Sequence, residues 1–152
     1  DYDVKVRKQA VEMLSVAGMT ITYGRQPRLL ITGYNINSLD KARMTALNSL
    51  KEGIDEAYEL GVKGVTFLAG KYEESTKEES YQALLNSTKG FAHMQNQGDM
   101  RVATEVFDYD IDKIVDWACG VAKRFAEDML CEYDNIGLMV DLSHTYHSCM
   151  KR

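Results

Sequence analysis

The sequence is poor in several things at once, and each shortage removes a class of protein. It holds one proline, Pro27, and no low-complexity tract. Domain boundaries fall in proline-, glycine- or polar-rich linkers, so one domain over residues 1–152 is expected. Cysteine is scarce. Cys119, Cys131 and Cys149 stand 12 and 18 residues apart with no CxxC pair, which argues against a disulfide scaffold or a thiolate zinc site and fits reduced thiols in the cytoplasm. No apolar run approaches the ~20 residues that cross a membrane. Positive charge is short too: 18 Lys and Arg face 23 Asp and Glu, for a net charge of −5. Nucleic acid needs a basic face, so it is not an expected partner. What remains is 45% hydrophobic and 27% charged, the balance of a globular domain with a core of its own.

Periodicity divides the chain into alternating segments. Asp3 is placed to cap a helix through Val4, Ala10, Val11, Leu14 and Ala17, ended by Gly18. Met19–Tyr23 reads as a short strand and Gly24–Pro27 as a turn, since Pro27 drives its predecessor out of the helical region. Arg28–Asn37 reads as an irregular loop. Ser38 opens a second helix in which Met44, Leu47, Leu50, Ile54, Ala57 and Leu60 recur at steps of three or four before Gly61. Val62–Leu68 is a strand, and Ala69-Gly70-Lys71 opens a polar loop to Thr76. A third helix carries Tyr81, Leu84, Leu85, Thr88 and Phe91 and ends near Gly98. The strand Met100–Glu105, the acidic loop Phe107–Asp110 and a helix through Ile114, Trp117, Val121, Phe125, Met129 and Leu130 follow. Asn135 breaks that helix, and Ile136–Val140 is the last strand.

The order is αβαβαβαβ, and strand starts at Val62, Met100 and Ile136 lie 38 and 36 residues apart. That is the repeat of a βα unit, eight of which close a barrel. The expected fold class is therefore α/β, with four parallel strands alternating with helices. It is either a small open sheet or half of a (β/α)8 TIM barrel.

Working residues in such folds sit at the carboxyl ends of strands. Two strands here end in an acid: Arg101-Val102-Ala103-Thr104-Glu105 and Ile136-Gly137-Leu138-Met139-Val140-Asp141. Adjacent strands are about 4.8 Å apart, so Glu105 and Asp141 at equal heights would share one divalent cation, which relieves their repulsion. His144 is then in reach of the cation or of a substrate hydroxyl. A plainer reading stands beside this one. Glu105 would cap the next helix or pair with Arg101 or Lys113, and Asp141 would be a loop cap. Lys71 either binds a phosphate or is simply exposed. His93 lies in a helix pattern as a packing residue, and His147 lies in the tail after Asp141. Asp108, Asp110 and Asp112 lack the glycine and distal glutamate of an EF-hand loop, so no calcium loop is expected there.

At Glu105-Val106-Phe107 and Val140-Asp141-Leu142-Ser143-His144 the chain resembles the sugar phosphate isomerase/epimerase family of xylose isomerase-like TIM barrels. Further stretches in the same order carry the resemblance: Gln26-Pro27-Arg28-Leu29-Leu30, Gly53-Ile54-Asp55-Glu56-Ala57 ahead of Leu60-Gly61, and Phe67-Leu68-Ala69-Gly70-Lys71. The resemblance implies a divalent metal, Mn2+, Mg2+ or Co2+, held by a glutamate, an aspartate, a histidine and a second glutamate from four strand ends. Glu105 matches the first glutamate and Asp141 the aspartate. His144 matches the histidine of an Asp-x-x-His motif that contacts substrate. The implied reaction is proton transfer next to a carbonyl of a small sugar or sugar phosphate, with Glu105 and His144 as catalytic groups and His144 and Lys71 touching substrate. The family's other two ligands come from later strands, and its first strand precedes Asp1. The expectation is thus a barrel incomplete at both ends, inactive alone, or one that associates with a second copy through its open edge. Lyases of the inosose dehydratase or C-glycoside-cleaving type use the same cage, a DNA-repair endonuclease shares the fold, and a non-catalytic half-barrel module is the reading from another class.

Overall fold

The computed structural model of the chain describes residues 3–24, 34–95, 100–106 and 121–150. Four strands lie side by side in chain order, all parallel: β1 (Tyr23–Gly24), β2 (Gly64–Leu68), β3 (Arg101–Val106) and β4 (Ile136–Val140). Helix α1 (Val4–Val16) precedes them. Between successive strands run α2 (Ala42–Glu59), α3 (Lys77–Gln95) and α4 (Val121–Met129), and α5 (Leu142–Met150) follows β4. A sheet whose order never reverses is wound in one direction, as a barrel is, rather than doubly wound around a switch point.

Register assigns the two faces. Val65 is opposite Val102, which is opposite Ile136, and Phe67 is opposite Thr104, which is opposite Leu138. Those side chains share the face that the helices cover, where Phe67 meets Phe91 of α3 edge to face at 6.2 Å. Val65, Phe67, Val102, Val106, Leu84, Phe91 and Phe125 are buried there in one apolar cluster. The other face carries Thr66, Ala103 and Gly137, half-buried, and rises to Leu68, Glu105 and Met139 at the carboxyl end.

Helices α3 and α4 are also clasped on the outside. The Tyr81 hydroxyl donates to Asp128 Oδ2 at 2.6 Å, and the Arg124 guanidinium lies 4.0 Å over the Tyr81 ring. Arg124 also donates two 2.7 Å hydrogen bonds to the Glu78 carboxylate. That bidentate pair holds Glu78 well below the usual carboxylate range, at about 2. Helix α1 has no buried residue. It is tied to α2 by Arg7, which donates to Glu59 Oε2 at 2.6 Å, while Tyr23 hydrogen-bonds Glu56.

Several boundaries differ from expectation for definable reasons. The strands expected from Met19 and Val62 start later, at Tyr23 and Gly64. Gly18 and Gly61 both have φ +65°, and the next residues reach back, Met19 N–H to Leu14 O (2.9 Å) and Val62 N–H to Ala57 O (3.0 Å). Both residues therefore belong to the Schellman stops of α1 and α2. Ser38 does not open α2. Its hydroxyl donates to Asp40 Oδ1 (2.8 Å), the same oxygen accepts the Ala42 N–H (2.7 Å), and the helix begins only at Ala42. Met44, expected in the core stripe, is 56% exposed. The buried face of α2 runs through Ala46, Ser49, Leu50, Gly53, Ile54 and Ala57, and its small residues escape a search for large apolar ones. The Gly24–Pro27 turn beyond Gly24, residues 28–33, Gly98, the acidic loop with Asp108, Asp110 and Asp112, and Lys113, Ile114, Trp117 and Cys119 lie outside the described residues.

Candidate metal centre

Glu105 is opposite Met139 in the β3–β4 register. Two residues further along β4, the pleat returns Asp141 to the same face, one step nearer the mouth. Strand β4 ends there because Asp141 turns the chain into α5. Asp141 Oδ1 accepts hydrogen bonds from Ser143 N–H (2.7 Å), the Ser143 hydroxyl (2.5 Å) and His144 N–H (3.3 Å). This is an N-cap, and it satisfies donors that would otherwise be orphaned at the start of the helix. The same bonds hold the Asp141 carboxyl below the usual carboxylate range, chiefly through the Ser143 hydroxyl.

The first turn of α5 swings His144 back over the strand ends. Its Nε2 lies 3.6 Å from Glu105 Oε1 and 3.9 Å from Asp141 Oδ2. Glu105 is buried at 6% exposure, and Asp141 and His144 are half-buried. One ligand atom from each of the three lies within 4.8 Å of the others. The two readings of Asp141 coincide on different atoms: Oδ1 caps the helix and Oδ2 faces the cluster.

The donor set suits a hard divalent cation, which prefers carboxylate oxygens and accepts imidazole. Bonds of about 2.0–2.1 Å place octahedral ligand atoms roughly 3–4.2 Å apart, and the two histidine distances of 3.6 and 3.9 Å fall in that range. The residues fit the group.

The other expected site residues lie elsewhere. Lys71 is exposed in the loop after β2, three residues beyond Leu68, the register partner of Glu105. It is not in the three-residue cluster. His147 is exposed on α5, edge-on to Tyr146, and the side chain of His93 lies outside the described residues.

A hydrogen-bonded arrangement around Lys71 is not legible in the sequence. Asn35 and Asn37 each donate from Nδ2 to Lys71 O at 2.9 Å, and Asn37 Oδ1 accepts the Gly70 N–H at 2.5 Å. Asn37 is fully buried, and a Cβ on Gly70 would stand 1.9 Å from Asn35 Oδ1. The only signal was two asparagines one residue apart and a glycine after a strand, none of which names its partner.

No protein-family model and no curated protein matches the chain. Solved structures do. A D-psicose 3-epimerase determined in the presence of D-fructose superposes with a TM-score of 0.78 at 17% identity, over 99% of this chain and 52% of its own. A xylose isomerase domain protein from Planctomyces limnophilus matches with a TM-score of 0.67 at 15% identity, over 93% of this chain and 50% of its own. The fold is that of a xylose isomerase-like TIM barrel. An AP endonuclease of family 2 from Brucella melitensis shares it, with a TM-score of 0.72 at 14% identity over 95% of this chain and 55% of its own. The chain spans about half the length of these xylose isomerase-like barrels. Its four strands match about half of such a barrel, with the Glu105 cluster at the carboxyl ends of β3 and β4.

Proposed function

We propose that the chain carries part of the metal-assisted proton-transfer site of a sugar isomerase or epimerase. The reading rests on one observation: Glu105, Asp141 and His144 converge at the carboxyl ends of neighbouring strands, in a fold whose solved examples include a D-psicose 3-epimerase. Glu105 and Asp141 would hold a divalent cation, Mn2+, Mg2+ or Co2+, with His144 Nε2 beside it. Bound there, such a cation supplies Lewis-acid polarisation of a ketose carbonyl, which acidifies the neighbouring C–H.

The residues then divide the work. Asp141, fixed by its capping bonds, keeps Oδ2 directed at the cluster and stays ionised. Glu105 sits on the barrel-facing side of β3 in a water-poor position, suited to take the proton from the carbon beside the carbonyl. His144 orients a substrate hydroxyl through Nε2. Epimerisation by two bases needs a second acid–base group on the opposite side of the sugar, and Glu105 supplies one of them.

Titration calorimetry with Mn2+ tests the reading. Micromolar binding to the chain, lost in Glu105→Gln and in Asp141→Asn, is expected. A flat thermogram in the parent chain sinks the metal site and leaves a non-catalytic half-barrel. The partner proposal belongs with it. On the outer side of β4, Val140, Leu142, Tyr146 and Met150 are exposed, and this edge is the proposed surface for association with a second copy. A monomer by light scattering after gel filtration rules that out.

A further inference from the structure

Beyond the cluster, the described residues enclose a cleft of about 360 Å3 between the loops that follow β1 and β2. That volume is at the lower end of the ~300–1,000 Å3 typical of small-molecule sites. Its walls include Asn35, Ser38, Asp40, Lys71, Tyr72 and Glu73, with the start of α3 as its floor. It opens at the same end of the sheet as Glu105, since Lys71 lies three residues past the register partner of Glu105. Strands β2 and β1 are one and two spacings from β3, roughly 5 and 10 Å away along the sheet.

The walls are fastened. Asn35 and Asn37 bind the two loops together through Lys71 O and Gly70 N–H, and the buried Ser87 hydroxyl donates to Ile36 O at 2.7 Å. Polar groups held this way are pre-organised for a ligand, because little ordering remains at binding.

The chemistry of the lining selects the ligand. Asp40 and Glu73 offer carboxylate oxygens, Ser38 and Thr76 hydroxyls, and Lys71 an ammonium. Carboxylates accept from hydroxyls, and the lysine donates to them. A phosphate fares worse. Two formal negative charges stand against the one positive charge of Lys71 in this lining. The helix starts, which elsewhere attract anions, already carry acids: Asp40 Oδ1 caps Ala42 N–H at 2.7 Å, and Glu78 and Glu79 occupy the first turn of α3.

We propose that this cleft is a subsite for the hydroxyl-bearing tail of an uncharged, polyhydroxylated sugar whose carbonyl end lies at the Glu105 cluster. The proposal rests on the sugar-enzyme reading above and adds to it where the tail goes and that it carries no phosphate.

The test follows backbone amide shifts of the 15N-labelled chain, with Mg2+ present, on titration with D-fructose and separately with D-fructose 6-phosphate. D-fructose is expected to move the amides of Ser38–Asp40 and Lys71–Thr76 together with those of Glu105 and Asp141–His144. The exposed, near-isosteric pair Asp40→Asn and Glu73→Gln should weaken D-fructose at least fivefold and leave the Mg2+-induced shifts at Glu105 unchanged. Shifts at the cluster alone overturn the subsite and leave the enzymatic reading standing. Shifts in the cleft alone keep a sugar site there and sink its link to the cluster. Tighter binding of the phosphate ester, lost in Lys71→Ala, overturns the uncharged assignment. No shift at 100 mM of either sugar overturns the proposal outright.

Discussion

Val65, Phe67, Val102 and Val106 look to one side of the sheet, Thr66, Ala103, Glu105 and Met139 to the other, and the two sides are finished differently. The first is sealed by helices and contains the apolar cluster. The second holds small and half-buried side chains until the strand ends, where it presents carboxylates. Burial on one side supplies the free energy that fixes the geometry on the other. A carboxylate such as Glu105, at 6% exposure, is tolerated only with compensating partners. The covered side tolerates no such group, because apolar packing there leaves it nothing to bind.

That contrast sets out what substitutions should do. Phe67→Ala, on the sealed side and fully buried, is expected to cost about 3–5 kcal/mol in urea unfolding. If it costs under about 1 kcal/mol, the helix-covered side is not what holds the sheet. Glu105→Gln, a near-isostere on the open side, should leave the unfolding midpoint close to the parent value. Its Mn2+ affinity should fall by at least about tenfold, the loss seen even for outer-shell partners of a metal. A large stability loss with unchanged Mn2+ affinity would make Glu105 a structural residue.

Gly70→Ala probes the rim of the open side. The new methyl meets the Asn35 amide, which is pinned by Lys71 O and Asn37 N–H. Overpacking of this sort costs about 1–3 kcal/mol, and D-fructose binding in the cleft should weaken with it. Asp141 separates cap from ligand. Asparagine caps as well as aspartate, so Asp141→Asn should keep stability and lose Mn2+, whereas Asp141→Ala should lose both. Equal melting curves for the two variants would mean that the cap contributes nothing.

The smallest effect concerns the outer clasp. Glu78 titrates near 2 in the folded chain against an ordinary 4.5. A depressed carboxylate contributes stability above its unfolded pKa and loses it as pH falls toward the folded one. Stability should therefore drop between about pH 4.5 and 2, and Glu78→Gln should flatten that part of the profile without changing Mn2+ binding at neutral pH.

What could be read from sequence was local or periodic. Tyr81, Leu84, Leu85, Thr88 and Phe91 mark the buried face of α3 because helical spacing alone puts them there, and all five are buried. Gly18 and Gly61 stop helices because their φ of +65° suits glycine. Glu105, Asp141 and His144 could be picked out because a parallel strand delivers its last residues to one end, whatever the rest of the chain does. The hidden parts depend on distant partners or on small residues. Asn35 finds Lys71 across 36 positions and Asn37 finds Gly70 across 33, and no local pattern encodes such a pairing. Ser49 and Gly53 line the buried face of α2 for their smallness, which apolar counting overlooks. In sequence the double use of Asp141 takes the form of two rival roles, since sequence shows a carboxylate and not its two oxygens.

That double use makes α5 a gauge of the site. The oxygen that starts the helix is bonded to the same carbon as the oxygen that would meet the ion, so charge drawn from one is felt at the other. Filling or emptying the cluster should alter how firmly the first turn at Ser143 and His144 is wound, and amide exchange along α5 should register the event from outside the barrel mouth.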